Sequence, residues 1–399
     1  TVSFTVNDGD ANSNTQTRDI DFTAANDAPV EATIEGTALG YTENDGAVAI
    51  TSTLALSDLD DTNLESAVVK ISGNYANGQD VLAFTNQNGI SGSWNATTGE
   101  LSLTGSATLA QYQAALRSIT YENTSDNPSA ATRTVSFTVN DGDANSNTQT
   151  RDIDFTAAND APVEATIEGT ALGYTENDGA VAITSTLALS DLDDTNLESA
   201  IVKISGNYAN GEDILAFTNQ NGITGSWNST TGELTLTGSA TLAQYQAALR
   251  SITYENTSNN PSAATRTVSF TVNDGDANSN TQTRDIDFTA ANDAPVEATI
   301  EGTALGYTEN DGAVAITSTL ALSDLDDTNL ESAIVKISGN YANGQDVLAF
   351  TNQNGISGSW NATTGELTLT GSATLANYQA ALRSITYENT SNNPSAATR

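Results

Sequence analysis

The chain has 399 residues and carries 12 lysines and arginines against 50 aspartates and glutamates, a formal net charge of −38 at pH 7. That balance repels nucleic acid and anionic membrane surfaces and attracts cations. With no cysteine and no histidine, disulfides, thiolate chemistry, the commonest general base and the commonest transition-metal ligand are all excluded.

Thr1, Thr134 and Thr267 each open the same stretch, TVSFTVNDGDANSNTQTRDIDFTAANDAPV, so the chain is three copies of a 133-residue period. Residues 1–133 and 134–266 differ at seven positions, among them Val68/Ile201, Gln79/Glu212, Ser91/Thr224 and Asp126/Asn259. A period of that length matches a whole domain with its own core, not a solenoid turn. The natural frame gives complete repeats at 28–160 and 161–293. Residues 1–27 are then the last strands of a preceding repeat, and 294–399 a repeat lacking its last strands. No apolar run approaches the ~18 residues of a membrane span. Methionine and a visible leader are also missing, so the sequence is expected to be a piece of something longer.

Taken in chain order, TVSFTV and RDIDFTA alternate apolar with polar residues, as half-buried strands do. AVVKIS, DVLAFT, ELSLTG and SITYEN follow the same period of two. NATTGE, between ISGSW and LSLTGS, reads as a hairpin tip. One segment, SATLAQYQAALRS, has helical spacing at Leu109, Tyr112 and Leu116; a short helix from about Thr108 to Leu116 is expected, capped by Ser106 or Thr108. Each repeat then holds eight to ten short strands and one helix, and an all-β class of tandem β-sandwich domains follows.

The joint between repeats is ANDAP. Pro29 cannot donate to a sheet and keeps the preceding residue extended, so the linker is short and stiff. Asn26 and Asp27 offer oxygen there, as do Asn159 and Asp160, and Asn292 and Asp293. If strand directions alternate, the loop after the second strand returns to this linker with Asp58, Asp60 and Asp61. Its later copies carry Asp191, Asp193 and Asp194, and Asp324, Asp326 and Asp327. The turn between the last two strands belongs at the same end, with Asp141 and Asp143, then Asp274 and Asp276. At the far end Glu43 and Glu122 should face the next linker, as should Glu176 and Glu255; Glu309 is the third copy of Glu43. So many carboxylates in one place repel, and calcium, which takes six to eight oxygens in flexible geometry, relieves the repulsion. The plainer alternative is an acidic surface solvated for a salty habitat. Asp8, Asp10, Asn12, Asn14, Gln16 and Asp19 also sit at the offsets of a helix–loop–helix calcium loop. Ser13 stands there in place of the expected glycine, however, and an ordinary Asn-Asp-Gly turn explains the stretch equally.

The order NDAPV, YTEND, LSDLDD, SATLAQYQAALRSITYEN, TVNDGD resembles the bacterial cadherin-like repeats of large secreted, RTX-type adhesins and the related chondroitin-sulfate-proteoglycan-like repeats. The resemblance runs through all three copies. It implies Ig-like sandwiches in tandem, an extracellular location on a bacterial surface, and calcium clamped between neighbours. It assigns Asn159 and Asp160 to the linker motif, Asp191 and Asp193 to the paired acids after the second strand, Asp274 to the last hairpin, and Glu43 to the foot of the first strand. Ala157, Ala158 and Ala161 stand where cadherin linkers carry further acids, which leaves the number of ions per joint open. Asp126 becomes Asn259 and Asn392, so a charge there is not required.

Trp94 shares a face with Ile90 and is expected in the core. Tyr75, in a Gly/Asn-rich loop, is the better candidate for an exposed contact. Asn95 and Asn123 match glycosylation acceptor spacing. The same acids recur in every copy without an implied pocket, so no enzyme is expected. The function expected is a calcium-stiffened extracellular adhesin stalk whose partners are its own neighbouring repeats. The alternative is a filament in which residues 1–27 of one copy complete residues 294–399 of another by strand donation.

Overall fold

A computed structural model describes residues 1–399. The chain divides into two compact units, Thr1–Ala161 with Asp191–Asp194, and Pro162–Ser190 with Thr195–Arg399. It is all-β apart from three nine-residue helices.

In the first unit, β1 (Val2–Phe4) and β2 (Gln16–Arg18) form an isolated antiparallel hairpin. Residues 19–23 form no strand, although the same letters do so at 152–156 and 285–289. Pairing across a repeat, not the local alternation, makes RDIDFTA a strand. Without that pairing Phe4, Val6, Ile20 and Phe22 stay exposed.

The complete repeat that follows contains β3 (Val30–Thr33), β4 (Leu39–Thr42), β5 (Val48–Ala49), β6 (Ala55–Ser57), β7 (Asn63–Gly73), β8 (Asp80–Ala83), β9 (Ser91–Asn95) and β10 (Glu100–Thr108). After helix α1 (Leu109–Arg117) come β11 (Thr120–Asn123), β12 (Arg133–Asn140) and β13 (Gln149–Thr156). These are eleven strands rather than eight to ten, the excess being pieces as short as the two-residue β5. The large sheet runs β4-β13-β12-β7-β10-β9, with β13 parallel to β4 and its other neighbours antiparallel. A smaller sheet, β5-β11-β8, encloses the same core, and β3 pairs with β6. Tyr41 of β4 meets Tyr121 of β11 edge-on at 5.1 Å between centroids.

Local rules set several of these elements. Thr108 accepts from the Gln111 N–H, and the Gln111 side chain accepts from the Thr108 N–H, a reciprocal cap worth about 1 kcal/mol. Tyr112, Ala115 and Leu116 are the buried face of α1. Gly105, at φ +132°, sits where the β10–β7 register shifts; a Cβ there would meet the Gly89 carbonyl oxygen at 2.3 Å.

Two polar features lie inside. Asp80 and Arg133 form a buried ion pair at 3.3 Å. Asp80 also accepts from Tyr121 (2.7 Å) and Asn123 (2.6 Å), and Arg133 donates to the carbonyls of Ser129 and Ala131. Asn123 is therefore a buried member of this network and cannot be an exposed acceptor site. Glu31, 1% exposed, accepts from the Gln149 N–H at 3.2 Å, while its Oε1 is buried without a partner. Asn147 and Gln149 clasp its main chain. Burial drives its carboxyl up to about 7, and the Gln149 N–H only partly opposes this.

Tyr75 is not an exposed contact either. It packs on the core and on Trp94 (6.2 Å, edge-on), with its hydroxyl donating to the Ala96 carbonyl. Trp94 is half-buried against the same core.

Residues 161–293, whose strands belong to the second unit, repeat this plan strand for strand. Residues 294–399 keep three small sheets but no counterparts of β4, β12 or β13. A groove of about 780 Å³ takes their place, lined by Tyr307, Ile316, Val335, Ile337, Tyr387 and Arg399 among others.

Candidate metal centre

The acidic loop Ser57–Asn63 turns back on its own main chain. Asp58 Oδ1 accepts from the N–H groups of Asp60 (3.1 Å) and Asp61 (3.0 Å), leaving Oδ2 buried without a partner. Asp60 then takes the linker: both of its oxygens accept from the Asp27 N–H at 3.2 Å. Asn26 donates to Asp141 Oδ2 at 3.0 Å. The three segments expected to converge, the linker, the loop after β6 and the β12–β13 turn, thus meet at one end of the repeat. Burial pushes the Asp61 carboxyl up, and the charges of Asp60, Asp58, Asp141 and Glu65 add to it. Burial pushes Asp141 up as well, but the Ala144 N–H, the Asn26 amide and the Asp143 N–H outweigh it and hold Asp141 below its ordinary value.

At the other end, Glu43 follows β4 alongside β13. Its N–H donates to the Thr156 carbonyl (2.9 Å), and its Oε2 accepts from the Ala158 N–H (2.9 Å) at the start of the next linker. Glu43 is 5% exposed, and its Oε1 has no partner. Asp193 accepts from the Asp160 N–H at 3.2 and 3.3 Å, while Asp160 Oδ2 and Asp191 Oδ2 are buried and unpartnered. Burial raises the Asp191 carboxyl despite the N–H groups of Asp194 and Asp193.

The second unit shows the same pattern. Glu176 Oε2 accepts from the Ala291 N–H (3.0 Å) and Asp326 Oδ2 from the Asp293 N–H (3.1 Å). Glu176 Oε1, Asp293 Oδ2 and Asp326 Oδ1 are buried without partners. The Asp327 N–H holds the Asp324 carboxyl below its ordinary value. Asp274 is 8% exposed and accepts from the N–H groups of Asp276 and Ala277.

Not every expected residue takes part. Asp143 and Asp276 contribute main-chain N–H groups, and their carboxylates are exposed. Glu122 and Glu255 stand beside Tyr41 and Tyr174, and no hydrogen bond ties them to a linker. Glu309 is exposed. Asn292 donates to the Asp293 carbonyl at 2.9 Å, bracing the linker's own main chain.

No three acidic side chains stand close enough together to form a ready-made cage. The donor chemistry nonetheless fits a hard cation. Each joint places carboxylates with one oxygen tied to a main-chain N–H and the other buried and unpaired, and burying such an oxygen without a partner is costly. Glu43, Asp160 and Asp191 leave such an oxygen at one joint, and Glu176, Asp293 and Asp326 at the next.

No family model matches the sequence. The chain is 27% identical over 337 residues to halomucin of Haloquadratum walsbyi, a match covering 81% of this chain and 3% of that protein. Solved structures overlaid on it include mouse cadherin-23 EC22-24, at 11% identity, covering 88% of this chain and 90% of that one, with a TM-score of 0.28. Protocadherin gamma B2 extracellular cadherin domains 1–5 give 13% identity, 88% and 54% coverage and a TM-score of 0.26. Scores this low carry no argument about function, and the all-β assignment rests on the strands themselves.

Proposed function

We propose that this chain is a segment of a calcium-stabilised extracellular stalk, built from 133-residue sandwich repeats bounded at 28–160 and 161–293, in a large bacterial surface adhesin. The observation that carries this reading is the half-satisfied glutamate at the joint that follows each complete repeat. Glu43 and Glu176 are nearly fully buried, bind a linker N–H through one oxygen, and leave the other unpaired. Calcium supplies the missing partner and cancels the repulsion among the neighbouring aspartates. The similarity to a short stretch of a far longer protein agrees with a segment whose task is length rather than catalysis.

The test is a thermal melt of the chain in millimolar calcium and in excess chelator. An ion at ten times its Kd adds about 1.4 kcal/mol per site by mass action, so several sites should raise Tm by many degrees. Equal melting in calcium, magnesium and chelator would leave the acids as surface charge only and overturn the reading.

A further inference from the structure

The buried Asp213–Arg266 pair of the second complete repeat sits at the root of a hydrogen-bonded chain that ends on the next repeat. Asn256 donates to Asp213 Oδ1 at 2.6 Å. The Ser258 N–H donates to Asn256 Oδ1 (3.0 Å), and the Asn260 N–H to Ser258 Oγ (3.2 Å). Asn260 Nδ2 then donates to the Asp326 carbonyl at 3.2 Å. Arg266 holds the returning limb of the same loop through the carbonyls of Ser262 and Ala264, and Pro261 at its tip is buried. The first repeat reproduces the chain through Asp80, Asn123, Ser125 and Asn127, ending on the Asp193 carbonyl at 3.2 Å.

Asp326 and Asp193 are the residues whose carboxylates take the linker N–H of Asp293 and Asp160. Their loops are thus held twice, by carboxylate to the linker and by carbonyl to the preceding repeat's asparagine. The second hold involves no charge and no cation. We propose that Asn127 and Asn260 are positioning residues of the joint. They fix the following repeat's acidic loop by its main chain, so the loop is presented to the linker before any ion arrives. This deepens the calcium reading by saying what orders the ligands, but its test runs without calcium.

Hydrogen exchange on the full chain in excess chelator reads the effect locally. In Asn260→Ala, exchange at residues 324–328 should rise about fivefold, the loss of one neutral hydrogen bond, while residues 191–195 stay unchanged. Asn127→Ala should do the reverse, so each joint controls for the other. Ser258→Ala, which unties Asn260 from its own loop, should shift 324–328 in the same direction. Unchanged exchange at 324–328 in Asn260→Ala overturns the proposal. So does faster exchange across strands 266–273 and 282–289, because the asparagine would then support its own repeat rather than the joint. Calcium added to the unaltered chain is the separate arm. Slower exchange at 324–328 supports the metal reading, and no change sinks it while leaving the asparagine result intact.

Discussion

Replacing Glu31 and Glu164 by glutamine should make the protein more stable at pH 8 and leave it unchanged near pH 4.5. Both glutamates are 1% exposed, and burial raises both carboxyls from 4.5 to about 7. A raised folded-state value means the folded protein holds the proton more tightly than the unfolded chain. The associated stability is fully present below about 4.5 and is lost as pH rises through about 7. The full displacement corresponds to about 3 kcal/mol per site. Solvent relaxation around the clasp of Asn147 and Gln149 should reduce this to about 1.5 kcal/mol. With a urea slope of about 2 kcal/mol per molar for each repeat, each complete repeat of the double variant should unfold about 0.7 M later than in the unaltered chain at pH 8. The two midpoints should converge at pH 4.5. The titration is best run in chelator, so that the acids at the joints contribute equally to both proteins. A midpoint difference that stays constant between pH 5 and 8 would refute the argument.

Further outcomes can be checked alongside. Asp213→Ala should cost the second repeat about 3–5 kcal/mol, because it leaves Arg266 buried and uncompensated; a urea melt followed by tyrosine fluorescence reads this. Gly105→Ala should destabilise the first repeat by about 1–3 kcal/mol through its backbone conformation alone, before the clash with Gly89 is added. Asn377→Gln should stabilise the third helix by a few tenths of a kcal/mol, since Thr374 there lacks the reciprocal cap that Gln111 and Gln244 give the other two. Residues 294–399, with ten residues in their buried cluster against 22 in each complete repeat, should exchange fastest of the three copies. A synthetic peptide of residues 267–293 added in trans should slow that exchange by filling the groove beside Tyr307 and Val335.

The sequence revealed those parts of the molecule that depend on neighbours a few residues apart or on strand direction. The Leu109–Arg117 helix and its Thr108 cap follow from local spacing. So does the hairpin whose ladder closes at Asn95 and Glu100. The meeting of Asp27 with Asp60 and of Asn26 with Asp141 follows from strand direction alone. What stayed hidden depends on which distant side chain covers a position. Alternation would put Val30 inward and Glu31 outward, yet Val30 is 48% exposed and Glu31 is buried. The amides of Asn147 and Gln149, more than a hundred residues away, decide that register. Glu297 makes the point by contrast: the same residue is exposed where no β12–β13 pair covers it. The packing of Tyr75 on Trp94 and the hydrogen bond of Asn123 to Asp80 are hidden for the same reason, since loop composition says nothing about what lies beneath it.

The parallel pairing of β4 with β13 has a mechanical meaning. The chain enters a repeat at the end where Asp27 meets Asp60 and leaves from the opposite end of β13, at Thr156. A pull on the leaving linker would therefore act along β13. Such a pull would shear that strand lengthwise between β4 and β12 instead of peeling it from an edge. All the rungs on both sides share the load at once, and Glu43, bonded to Thr156 and Ala158, stands at the exit like a stop. If load passes along the chain, such a repeat is expected to give way all at once, which force spectroscopy on the full chain would read as discrete unfolding steps and which gradual lengthening would contradict.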